Sequence, residues 1–121
     1  MKIAISATTR NIESPIDPRF GRAQYFAIYD SDSKSYFFTD NTQNMNAAQG
    51  AGIQTAQNIL NSKADCVITG HCGPKAYRVL NGANVKIYLC EDGCSVRDAV
   101  SKMLAGELKL SDGADVEGHW M

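Results

Sequence analysis

Apolar residues fall in short blocks separated by polar turns, and the period inside the blocks changes along the chain. Lys2–Ala7 is a brief apolar run that predicts a first strand. Pro15, Pro18 and Gly21 then interrupt any regular pattern, so Thr8–Ala23 reads as a long loop. A loop of that length inside a compact domain is usually functional or disordered. Gln24–Tyr29 and Lys34–Thr39 are aromatic-rich and predict strands two and three. The turn residues between them, Asp30-Ser31-Asp32-Ser33, make the pair an antiparallel hairpin.

After a polar stretch the period becomes helical. Ile53, Ala56, Gln57, Ile59 and Leu60 lie on one face of a helix expected over Gly50–Asn61. Asp65–Gly70 is an almost wholly apolar strand, the kind buried on both faces of a parallel sheet. A helix follows from Pro74, which suits a first helical position, to Leu80, where Asn81-Gly82 stops it. Val85–Cys90 is the fifth strand. Ser95 is the expected N-cap of a last helix over Val96–Ala105, closed by Gly106. The order β-β-β-α-β-α-β-α predicts an α/β fold with a five-stranded mixed sheet flanked by helices. Residues 1–109 make one domain and 110–121 a flexible tail, in which His119 and Trp120 read as incidental.

Composition narrows the function more than the fold. The chain has 121 residues, 44% hydrophobic and 21% charged, with a net charge of -1. Such a balance argues against a nucleic-acid binder. No apolar run is long enough to span a membrane, and the N-terminal apolar stretch is too short for a signal peptide. A cytoplasmic protein is expected, monomeric or weakly dimeric through its hairpin edge. In that compartment its 4 cysteines are free thiols or metal ligands rather than structural bridges. Hydrolytic chemistry has little support. The carboxylates Asp30, Asp32 and Asp40 sit in solvent-facing turns, and neither a Walker loop nor a Gly-x-Ser-x-Gly elbow is present.

In open α/β sheets, ligands bind beyond the carboxyl ends of the parallel strands. Those ends carry Gly70-His71-Cys72-Gly73 after the fourth strand, and Cys90 with Cys94 after the fifth. If the two strands are neighbours, about 5 Å apart, three thiols and an imidazole are expected to converge on one rim. His71, Cys72, Cys90 and Cys94 are therefore the candidate metal ligands, and soft thiolates favour Cu(I), zinc or iron–sulfur species. Cys66, at the opposite strand end, reads as a core residue. Gly50-Ala51-Gly52 and Gly73-Pro74 open two helices near the same rim, where free N–H groups favour anions. Arg19 and Arg22 add positive charge from the long loop.

These segments carry a resemblance. Lys2–Ile5, Ser14-Pro15-Ile16 with Phe20–Phe26, Gln49–Ala56, and Val67–Gly70 through Gly73–Ala76 to Val85–Tyr88 occur in the order found in the dinitrogenase iron–molybdenum cofactor biosynthesis family. Gly106-Glu107-Leu108 resembles the family's end. The resemblance covers about residues 1–109 and implies a ribonuclease-H-like fold without that enzyme's carboxylate site. It implies non-enzymatic binding or carriage of a metal–sulfur cofactor of iron–sulfur, iron–molybdenum or molybdenum–copper type. Cluster-assembly or recipient proteins would be its partners. By the resemblance, Phe20, Gly21, Arg22, Gly50, Ala51, Gly52, Gly70, Gly73 and Pro74 are cofactor-binding residues. Cys90 and Cys94 lie outside the family's pattern. A different reading makes the protein a thiol-based redox or regulatory module, with Cys90 and Cys94 as a reversible disulfide.

Overall fold

The computed structural model describes residues 1–41, 51–91 and 93–111. Its strands are β1 (Lys2–Ala7), β2 (Tyr25–Asp30), β3 (Ser35–Asp40), β4 (Cys66–Thr69), β5 (Lys86–Leu89) and β6 (Lys109–Leu110). Its helices are α1 (Ala51–Asn61), α2 (Pro74–Gly82) and α3 (Val96–Leu104), with a 3-10 turn over Phe20–Arg22 inside the long loop. The sheet has six strands in the order β3-β2-β1-β4-β5-β6. The expected five is corrected by Lys109–Leu110, which pairs antiparallel with Tyr88 and Leu89. Two residues are too few for a periodic signal, so the sequence places the end of the domain between them. Expectations for Gly50, His119 and Trp120 lie outside the described residues.

β1 is the hinge of the topology. It pairs antiparallel with β2 and parallel with β4, and β4 pairs parallel with β5. Alternation of side chains across the sheet then builds two cores. Ala4, Val67 and Ile87 face α1 and α2, where they meet Phe20, Phe26, Ala56, Ile59, Ala76 and Leu80. Ile3, Ile5, Cys66 and Ile68 face α3, where they meet Ile16, Val96, Ala99 and Val100. Hairpin aromatics pack against each other: the Tyr29 and Tyr36 rings lie 4.8 Å apart. Ser95 caps α3 as its sequence position predicts, its side chain accepting from the Asp98 N–H at 3.1 Å.

The long loop is not loose. Ala7 bridges Ile16, Pro15 bridges Ser95 and Arg19 bridges His71, so the segment is tied at three places to β1, α3 and the turn after β4. Beneath it lies a buried polar group of three residues. Ser6 Oγ donates to the Asp17 carbonyl at 2.6 Å and is hydrogen-bonded to Thr69 Oγ1 at 2.9 Å. The Asp17 N–H donates to the Ser6 carbonyl at 2.9 Å. The loop also approaches β4 too closely for a side chain. A Cβ on Gly70 would stand 2.8 Å from Pro18 Cα and 2.9 Å from Pro18 O. A Cβ on Gly21 would stand 2.9 Å from Gly52 Cα, at the first turn of α1.

Two predictions come from this packing. Gly70→Ala drives a methyl into the Pro18 backbone, an overpacking that lowers stability by about 1–3 kcal/mol. Urea unfolding monitored by circular dichroism would show it, and an unchanged midpoint would remove the close approach as a constraint. The second concerns the buried thiols. Burial pushes Cys66 up to about 11, and Cys72 and Cys90 up to about 12. In the unfolded chain these thiols ionise near 9.0, so the unfolded state binds fewer protons above that pH. Stability held below pH 9 is therefore lost as pH rises from about 9 toward 12. A melting temperature that falls over this range, and falls less steeply in Cys72→Ala, is the expected result.

Candidate functional site

The tied loop and the turn after β4 together form a shallow depression at the carboxyl edge of the parallel strands. A cavity of about 250 Å³ is lined by Arg19, Phe20, Gly21, Arg22, His71, Gly73 and Pro74. A second, of about 260 Å³, shares Gly73 and Pro74 and extends to Gly52, Ile53, Lys75 and Ala76. Phe20, Gly21, Arg22, Gly52, Gly73, Pro74 and His71 are thus brought into one place, from three separate segments.

Each segment has a local reason to be there. Phe20 is buried against Phe26 with ring centroids 5.4 Å apart, which anchors the 3-10 turn. The His71 N–H donates to the Pro18 carbonyl at 2.6 Å, and the Phe20 N–H donates to the His71 carbonyl at 3.0 Å. Asn41, buried at the end of β3, donates to the Ala23 carbonyl at 2.8 Å and to Thr55 Oγ1 at 3.2 Å. That contact holds the far end of the loop against α1. Sequence reading missed Ser6, Asp17, Asn41, Thr55 and Thr69. Ser6, Thr55 and Thr69 are polar residues inside elements whose period assigns their positions to the core, whereas Asp17 and Asn41 lie outside any periodic element and carry no such signal.

The rim is cationic and rich in unused backbone donors. Arg19 and Lys75 are exposed, Arg22 is half-buried, and His71 is exposed. Arg19 Nε stands 3.9 Å from Asp17 Oδ1, but the Arg19 side chain keeps 66% of its exposure. α2 begins with Pro74 at its first position, and its N-cap Gly73 supplies no side-chain hydrogen bond. The first N–H groups of α2 therefore face the depression with the positive end of the helix dipole. Arg10, three residues beyond β1, belongs elsewhere: it donates to Asp40 Oδ1 at 2.6 Å and stacks over Tyr25.

The glycines divide by function. Gly21 and Gly70 have packing reasons, already given. Gly73 has none: its φ and ψ are -66° and 162°, open to any residue, and no heavy atom lies within 4 Å of a Cβ built on it. Ala51 is buried at the start of α1, and Gly52 sits between Gly21 and Ala76.

The cysteines do not converge as strand order alone predicts. Cys72 is buried in the core under α1 and α2, whereas Cys90 and Cys94 belong to the core under α3. The sheet lies between them. Among the described residues, no group of three His, Cys, Asp or Glu side chains could hold a metal ion. Burial raises the Cys72 thiol to about 12, so it is neutral at physiological pH. Only His71 of the four candidate ligands faces the rim cavity. The physical reason is the turn itself: His71 is bridged to Arg19 at the surface, and the next side chain points the opposite way, into the core.

The same fold recurs in known proteins. The apo form of the orange protein from Desulfovibrio gigas is 35% identical and superposes with a TM-score of 0.89, over 93% of both chains. A putative NifB protein from Thermotoga is 30% identical with a TM-score of 0.79, over 90% of this chain and 91% of that one. No curated protein matches the sequence. Residues 1–106 match the family model described as dinitrogenase iron-molybdenum cofactor, and the chain belongs to that family.

Proposed function

We propose that this protein is a non-enzymatic carrier of an anionic metal–sulfur cofactor, of iron–sulfur, iron–molybdenum or molybdenum–copper type. The cargo sits in the depression between the 3-10 turn and the start of α2. It passes from a cluster-assembly protein to a recipient protein. Arg19, Arg22 and Lys75 neutralise its charge, backbone N–H groups at Gly73–Ala76 donate to its sulfides, and His71 is the one candidate metal ligand at the surface. Phe20, Gly21, Gly52 and Pro74 shape the floor. Gly50 and Ala51 belong to the same helix start by sequence. The strand order β3-β2-β1-β4-β5, with its leading antiparallel hairpin, supports the ribonuclease-H-like reading of the scaffold.

Gly73 carries the proposal. Gly73 is the N-cap of α2, where glycine is tolerated, but its backbone is unstrained and its Cβ direction is empty, so a capping Ser, Thr, Asp or Asn would fit there too. Its openness serves close approach of something outside the chain. The cationic surroundings and uncapped helix start indicate that this is an anion. Family membership and the likeness to the orange protein support a metal–sulfur identity. With no three-ligand set among the described residues, attachment is by charge and hydrogen bonds, and it weakens as salt rises.

The test is reconstitution without oxygen, using iron with sulfide in one arm and thiomolybdate in the other, followed by metal and sulfide analysis and a visible spectrum. Wild type is expected to hold stoichiometric metal and sulfide. Gly73→Ala should keep its unfolding free energy within about 1 kcal/mol of wild type, since lost N-cap preference and reduced chain entropy offset one another. Its cofactor affinity should fall at least tenfold, about 1.4 kcal/mol, and Arg22→Ala should do the same. Undiminished binding in both variants would move the cargo away from this rim.

A further inference from the structure

The two outer strands of the sheet differ in how much edge they offer. β6 has 2 residues. β3 has 6, Ser35–Asp40, and pairs with β2 in a register that runs without a bulge from Asp30↔Ser35 to Tyr25↔Asp40. Among the described residues, no strand pairs with its outer side. Natural sheets blunt such an edge with a charge, a proline or a bulge inside the strand. Ser35–Thr39 carries none of these. Phe37 is 52% exposed and lies on the face toward α1, since its register partner Ile28 belongs to that core. Tyr36 and Phe38 are half-buried on the face toward α3.

The direction of the edge backbone follows from one hydrogen bond. The Asn41 N–H donates to the Gln24 carbonyl at 2.8 Å, which continues the β2–β3 ladder. Bonding direction alternates along an antiparallel strand. Thr39, Phe37 and Ser35 therefore also bond toward β2, and Tyr36, Phe38 and Asp40 turn their N–H and C=O groups outward.

We infer that the outer edge of β3 is a self-association surface, on which a second copy of this chain adds its own β3 antiparallel about a two-fold axis. Residues directly opposite in such a ladder share a face, so the axis passes through a residue and not between two. Centred on Phe37, the ladder sets Tyr36 of each copy opposite Phe38 of the other. Both have outward backbone groups, so each such pair exchanges its N–H and C=O bonds. The Phe37 rings meet at the axis, at a position without ladder bonds, where opposed side chains stand closest. Lys34, exposed just before the strand, comes opposite Asp40, whose side chain keeps 54% of its exposure beside Arg10. The two-fold makes that unlike-charge pair twice. Centred on Phe38 instead, the ladder sets Asp40 against Tyr36 and Phe37 against Thr39, with no unlike charges opposed. Charge complementarity thus selects the register at Phe37. One strand pair is a small interface, so the dimer is of the weak, transient class. The inference is independent of the carrier reading, because neither rim cavity is lined by a residue of β3.

Sedimentation equilibrium of the full, reduced chain, from micromolar to millimolar concentration, should show a monomer–dimer equilibrium that weakens as salt rises. Lys34→Glu turns two attractive pairs into repulsive ones and should weaken the dimer about tenfold. Phe37→Glu sets two carboxylates against each other at the axis and should abolish it. Both side chains are exposed, so at micromolar concentration each variant should melt as wild type does. Amide hydrogen exchange needs no variant. The Tyr36 and Phe38 N–H groups should exchange more slowly as wild-type concentration rises, while those of Phe37 and Thr39, already bonded to β2, should change little. A wild type that stays monomeric throughout, or Tyr36 and Phe38 amides indifferent to concentration, would overturn the inference. So would a dimer unaffected by Phe37→Glu, which would place the contact on another surface, or one unaffected by Lys34→Glu, which would break the register.

Discussion

Everything at the rim depends on one close contact, the approach of the Pro18 backbone to Gly70. At 2.8 Å from a Cβ that is not there, Pro18 occupies space that any other residue at position 70 would fill. The contact lets two backbone hydrogen bonds form between the loop and His71, and these set where Arg19, Phe20 and Arg22 stand. The buried Ser6–Asp17–Thr69 group fixes the same segment from beneath. Buried polar groups of this kind stabilise only when every member is satisfied, and they then specify a single arrangement. A loop of this length becomes a rigid wall of a binding site because its backbone polar groups are bonded to the sheet rather than to water.

The second constraint is the two-residue period of the sheet. It decides which cysteines can meet. Strand order correctly puts the ends of β4 and β5 side by side. It does not say which face each later side chain takes. Cys72 follows a turn that exposes His71 and buries its neighbour toward α1 and α2. Cys90 continues β5 on the face toward α3, and the turn to Cys94 returns on that same face. One expected cluster of thiols is therefore two separate environments, one a single buried thiol and the other a pair.

The residues differ in how plainly they announce their structure. Blocks such as Lys2–Ala7 and Cys66–Thr69 carry enough apolar pattern to place a strand within a residue or two, and Pro74 and Ser95 mark helix starts by chemistry alone. β6 was not legible, because two residues paired at a sheet edge leave no period. The rim was legible in part: a strand-end turn, two glycine-opened helices and loop arginines point to it without coordinates. What sequence could not separate was Gly73 from Gly70. Both are glycines flanking one turn, yet one is required by a neighbour's backbone and the other meets no atom that a Cβ would touch. That difference is a matter of distance in three dimensions, and no local pattern encodes it.

The form of the rim bears on what it can do with a cargo. Tight retention of a metal cluster uses several covalent thiolate bonds, and their exchange is slow. In the carrier we propose, two arginines, one exposed and one half-buried, one lysine and a helix start hold charge without bonding to metal, and the thiol closest in sequence is withdrawn beneath the surface. Electrostatic attachment in a shallow, half-open site gives up affinity in exchange for reversibility, since each contact can be replaced by water or by a partner's side chain. A rigid wall and a labile grip are compatible only if rigidity comes from the loop's own hydrogen bonds. The stitching of residues 15–22 onto β1 and the turn after β4 supplies that rigidity.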